Sequence, residues 1–165
     1  MWKRAPTTNP TPAVAPDDAF EHEARRESLL VLYQQTPTAA VAHVVAAGLV
    51  VYAFSVVIAL QTLFVWCAGL TLAAVARFVA ARQFVARWPV DDAALPAWVR
   101  IQSALAFVHT AFWGATVFII WPDSAEYRVL MAAVLIGIIS AGGVILATHT
   151  RSFVVYCGPI AAPLV

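Results

Sequence analysis

Charged side chains are missing from most of this chain. No Asp, Glu, Lys or Arg occurs between Glu27 and Arg77, between Arg100 and Asp123, between Arg128 and Arg151, or from Ser152 to Val165. Only 12% of residues are charged and 62% are hydrophobic, against roughly 25% charged in an ordinary soluble domain. Such a balance argues against a soluble globular fold and puts the chain in the integral membrane class. A hydrocarbon layer of about 30 Å takes about 20 helical residues at 1.5 Å each. The first uncharged stretch therefore holds two spans, the next two hold one each, and the last holds a partial one. A net charge of +1 gives no basis for nucleic-acid binding.

Cysteine is scarce as well. Cys67 and Cys157 both lie inside predicted spans, which suits small packing residues better than a disulfide framework or a thiol motif. Trp2, Lys3 and Arg4 are followed by a Pro/Thr-rich segment and not by an apolar core, so no signal peptide is expected. The chain has no HExxH, no phosphate-binding loop, no Ser/His/Asp constellation and no pair of intramembrane carboxylates. An enzyme active site within these residues is not expected, nor is a resident metal, and a proton-coupled transporter is disfavoured for want of an intramembrane acid.

What is present reads as an all-α polytopic bundle. Residues 1–16, with Pro6, Pro10, Pro12 and Pro16, form a tail too polar to order itself. Residues 17–36 form a juxtamembrane helix, opened by a capping box at Asp18 and Glu21 and ended by Pro37. Phe20, Ala24 and Val31 share a face near Arg25 and Arg26, which suits a helix lying on an anionic membrane surface. A solvated helix leading into the first span is the alternative. The bundle proper takes residues 37–165.

Its spans are expected at Thr38 to Ala59, Leu63 to Ala81, Val99 to Trp121 and Tyr127 to Thr148, with a truncated fifth beginning near Phe153. Gln61 and Thr62 provide the first turn, and Asp123 with Glu126 caps the fourth helix. Arg77, Arg82, Arg87 and Arg100 flank the second-to-third loop, and together with Lys3, Arg4, Arg25, Arg26 and Arg151 they put nine of the 10 basic residues on one side. The positive-inside rule makes that side, with the N-terminus, cytoplasmic. Trp66, Trp88, Trp98 and Trp121 fall near span ends, where indole rings anchor at the headgroups. Asp91 and Asp92 read as turn and capping residues.

Intramembrane polar groups are the candidate site, because burying them in lipid costs free energy. His43 and His109 lie roughly 9 to 14 Å below the same surface and are at matched depth. Such a pair is the minimum for axial haem ligation, for a metal, or for a pH sensor. The alternative is that each bonds a neighbouring hydroxyl or carbonyl, with Thr110 or Ser103 as partners. His43, His109, Thr110 and Trp113 make up the candidate intramembrane polar or ligand site. No cofactor is otherwise implied, and haem through His43 and His109 is the one option. His149, beside Arg151, suits the negative end of the fourth helix. Small residues at four-residue spacing, Ala106–Thr110–Gly114 and Ala133–Gly137–Ala141, followed by Gly142, form rows that let helices approach.

From Leu29 onward the chain resembles the multi-pass N-terminal membrane region that precedes GGDEF diguanylate cyclase domains, and also histidine kinases, in proteobacteria. The resemblance rests on "LLVLYQQTPTA", "ARFVAARQF", "WVRIQSALAFVHTAFWGATVFIIWPDS", "GIISAGG" and "THTRSFVVYCGPIAAPLV". It implies an inner-membrane sensory, anchoring and dimerising module, partnered by the lipid bilayer and a second copy, and truncated before a cytoplasmic output domain that these residues do not contain. A small transporter or structural membrane protein is the competing class.

Overall fold

The computed structural model describes residues 16–146 and 150–162. The tail expected over residues 1–16 lies outside them except for Pro16, and so do His149 and residues 163–165. Among the described residues the chain is helical, with no strand: α1 Pro16–Phe54, α2 Leu60–Ala86, α3 Leu95–Gly114, the short α4 Thr116–Ile119, α5 Ala125–Leu146 and α6 Thr150–Ala161. Four stretches are long and apolar enough to cross a membrane: Arg26–Phe54, Leu60–Ala86, Asp92–Ile119 and Ala125–Gly142. Helix is what such sequences adopt in lipid, where every backbone N–H and C=O needs a partner within its own segment. Many large apolar side chains, including Leu49, Tyr52, Phe64, Leu72, Phe118 and Val129, are exposed on the outer faces, which is consistent with a multi-pass membrane protein.

α1 differs from the expectation. It does not end at Pro37 but runs through it as one 39-residue helix, with Asp18 inside it and not at its start. The reason lies beside the proline. Thr36 Oγ1 donates to the Leu32 carbonyl at 2.9 Å and accepts a 3.4 Å bond from Gln102 Nε2, while Tyr33 Oη donates to the Trp98 carbonyl at 2.8 Å. These bonds tie α1 to α3 beside Pro37 and hold the helix in line there, although none of them reaches the Tyr33 carbonyl that the missing Pro37 N–H leaves free. Arg26 is likewise turned to protein. It pairs with Asp92 at 3.4 Å, donates to the Val90 carbonyl at 3.2 Å and lies 5.7 Å from the Trp88 ring centre.

The connections also shift. The first turn uses residues 55–59, where the N–H groups of Val57 and Ile58 donate to the Phe54 carbonyl, and Gln61 and Thr62 belong to α2. The third span breaks at Ala115 between α3 and α4, with Thr116 Oγ1 donating to the Trp113 carbonyl at 2.6 Å. Ser124, not Asp123, caps α5, since its Oγ accepts from Tyr127 N–H at 3.4 Å. Asp92 starts a single 3₁₀ turn ahead of α3.

The helices close into a ring. α1 meets α2, α2 meets α3, α3 meets α6, α6 meets α5, and α5 returns to α1 over the loosest seam. Two aromatic groups lie within one continuous buried core. Tyr33, Phe84 and Trp98 form one, with Tyr33 and Phe84 stacked at 4.1 Å and Phe84 and Trp98 edge-to-face at 5.3 Å. Trp66 and Trp113 form the other, edge-to-face at 5.2 Å. Trp66 is thus a core residue and not a headgroup anchor: it is 2% exposed and its Nε1 donates to the Phe112 carbonyl at 2.9 Å.

Candidate intramembrane site

Four polar residues from three helices converge within the ring. His43 of α1 and His109 of α3 meet edge-to-face, with ring centroids 4.5 Å apart and an interplanar angle of 70°. Tyr156 of α6 shares a 2.9 Å hydrogen bond with His43 Nε2, whose direction follows the imidazole tautomer. Trp113 closes the group 6.0 Å from the His43 ring. Tyr156, which the sequence reading passed over, is the hydrogen-bond partner of His43.

Thr110 and Ser103 do not bond the histidines. The Thr110 hydroxyl donates back along its own helix, to the Ala106 and Phe107 carbonyls, because a hydroxyl one turn on lies within reach of the preceding carbonyls. His109 is fully buried, and neither ring nitrogen has a hydrogen-bond partner; Trp113 Nε1 is also unpartnered.

Arg77 is the larger departure. Expected at the membrane boundary, it sits nine residues before the end of α2, about 13 Å along the axis. It is only 5% exposed, and its Nε and Nη1 have no hydrogen-bond partner. Arg82 and Arg87, five and ten residues further on, are both exposed. That five-residue interval was the available signal: three arginines on one helix cannot all lie at the same depth.

A cavity of about 310 Å³ opens at the seam between α1 and α5 and reaches these groups. Leu32, Ala39, Ala42 and Ala46 of α1 face Val134, Gly137, Ile138 and Ala141 of α5 across it, while Thr36, His43, Arg77 and Tyr156 supply its polar side. Ala42, Gly137 and Ala141 are exposed, so the cavity opens on the outer, apolar face of the bundle.

The two rows of small residues have different fates. In α3, Ala106, Thr110 and Gly114 are buried, and a Cβ on Gly114 would run into the Pro159 carbonyl of α6. In α5, Ala133, Gly137 and Ala141 are exposed and a Cβ on Gly137 would meet nothing within 4 Å. That row is no helix-packing surface within the chain, and two of its members border the cavity. Gly142 lies against the Tyr156 ring, which occupies the space a Cβ would need.

Haem does not fit the histidine pair as it stands. Axial ligation puts two imidazoles on opposite faces of a macrocycle, and metal–nitrogen bonds of about 2 Å then hold the ring centroids roughly 6 Å apart. The rings here are in direct contact at 4.5 Å, and His43 Nε2 is engaged by Tyr156. Among the described residues no group of three or more His, Cys, Asp or Glu is placed to hold a metal ion, and Cys67 and Cys157 are both free.

Compared with protein-family models, with curated proteins and with solved structures, the chain matches none. Among the described residues the chain is helical, with four helices long and apolar enough to cross a membrane and a polar cluster set beside an apolar, outward-opening cavity.

Proposed function

We propose that this chain is the sensing and anchoring module of a bacterial inner-membrane signalling protein, with a diguanylate cyclase as the first choice of parent and a histidine kinase as the second. The observation that carries the reading is the cavity at the α1–α5 seam, which joins an apolar mouth to Thr36, His43, Arg77 and Tyr156. Polar groups inside a membrane bundle mark a ligand or ion path by default. The sequence resemblance supplies the signalling context, and the uneven basic residues supply a cytoplasmic N-terminus.

Transmission is built into the same contacts. The helix that lines the cavity from Leu32 to Ala46 is continuous with the juxtamembrane segment held by Arg26 and Asp92. Tyr156 lies on α6, the helix that in the proposed parent leads on towards the output domain. An occupant that displaced the Tyr156–His43 bond would move both. The module works as a homodimer in the bilayer, and the reaction belongs to the output domain.

The test is to read the gene beyond the codon for Val165 and to measure cyclic diguanylate in cells carrying the intact product and its Tyr156→Phe variant. A GGDEF-encoding continuation and a changed level in the variant are expected. A continuation encoding neither a cyclase nor a kinase, or a level indifferent to the variant, overturns the reading.

A further inference from the structure

Arg77 poses a problem of charge balance that the described residues do not solve. No Asp or Glu occurs between Glu27 and Asp91, between Asp92 and Asp123, or beyond Glu126. The nearest candidates are committed or exposed: Asp92 pairs with Arg26, and Glu27 and Glu126 are open to the outside. None lines the cavity. A second copy of the chain brings no intramembrane acid either, since its sequence is the same. A buried charge left unpaired costs of order several kcal/mol, which is why buried charges are normally paired.

The cavity that Arg77 lines can instead admit a ligand that carries the negative charge. The cavity that Arg77 lines is apolar on the α1 and α5 sides, with Leu32, Ala42, Val134 and Ile138 along its walls, and exposed Gly137 and Ala141 at its mouth. At about 310 Å³ it lies at the small end of the roughly 300–1,000 Å³ typical of ligand pockets, too small to enclose a two-chain phospholipid. A guanidinium binds planar oxyanions with paired donors. Resting on the pocket reading above, we propose that the site binds a single-chain amphiphilic carboxylate, a free fatty acid in chemical class, with its headgroup on Arg77 and its tail leaving through the α1–α5 seam into the bilayer.

The arrangement accounts for the pieces together. The carboxylate neutralises Arg77, the Tyr156 hydroxyl lies on the same cavity, and the row Gly137–Ala141 has small side chains because a tail passes over it.

The test uses the full chain in zwitterionic nanodiscs, with dansyl-undecanoic acid as a fluorescent probe and dansyl-undecanol as its neutral counterpart. The carboxylate should bind at least about tenfold more tightly than the alcohol, the size expected for one charge-assisted contact of roughly 1.4 kcal/mol or more. Arg77→Gln should abolish that discrimination, and Arg77→Lys should keep part of it. Equal binding of acid and alcohol by the unaltered protein overturns the proposal even where Arg77→Gln fails to fold. Displacement of the probe by lysophosphatidic acid more readily than by oleic acid overturns the carboxylate assignment in favour of a phosphate headgroup. Retained discrimination in a folded Arg77→Gln protein overturns the role of Arg77. Binding without any change in cellular output would leave this site standing and sink the signalling reading, whereas output that depends on Tyr156 without carboxylate binding would do the reverse.

Discussion

At the scale of single residues, the polar cluster is held by few bonds, so each is testable. Tyr156→Phe removes the bond to His43 while keeping the ring against Gly142. A buried hydrogen bond contributes about 1 kcal/mol net, so the variant should unfold about 2–4 °C lower in a thermal ramp. An unchanged midpoint would show that the bond is replaced by water. Phe84→Ala should cost more, about 3–5 kcal/mol, because the ring is fully buried between Tyr33, Trp88 and Trp98. Residue identity alone did not separate these roles. His43 and His109 were legible as a pair from matched depth, but Tyr156 lies 113 residues from His43 and no local pattern marks it as the partner.

At the scale of elements, the α3–α6 contact and the continuity of α1 carry the fold. Gly114→Leu should separate α6 from α3, since even a Cβ meets the Pro159 carbonyl. Overpacking of this kind costs about 1–3 kcal/mol, read as a lowered unfolding midpoint, while Gly137→Ala should not lower the midpoint, because its Cβ enters open space and alanine is the better helix former. Pro37→Ala is expected to keep the helical circular dichroism and not to destabilise the protein. A helix already continuous through the proline gains an N–H donor by the change. The spans themselves were legible because uncharged runs of that length admit little else in lipid. Pro37 and Gln61–Thr62 misled for one reason: proline and polar pairs signal boundaries in water, whereas here α1 is tied to α3 beside Pro37 and Gln61 and Thr62 open α2, with the Thr62 N–H on the Ala59 carbonyl.

At the scale of the whole molecule, the ring closes at its loosest seam, α1 against α5, and that is where the cavity opens. The orientation proposed from the basic residues predicts that Ser124, at the short connection before α5, faces the periplasm. A single cysteine there should react with an impermeant maleimide added to intact cells, and protection would invert the topology. Arg128 is no obstacle to that orientation, because its Nε donates to the Pro122 carbonyl at 2.8 Å within the same turn.

The sequence by itself determined that the chain is helical and that four stretches can cross a membrane, because the absence of charge over such lengths leaves the backbone one way to satisfy itself. It also set His43 and His109 at one depth, since helical rise is constant. Only the tertiary structure decided that Arg77 lies inside and that the row through Gly137 faces a cavity. Hydropathy averages over all sides of a helix, whereas burial depends on which neighbour packs against which side. Arg77 therefore looked like a boundary residue until α1, α5 and α6 were in place around it, and the charge it leaves unbalanced became visible only then.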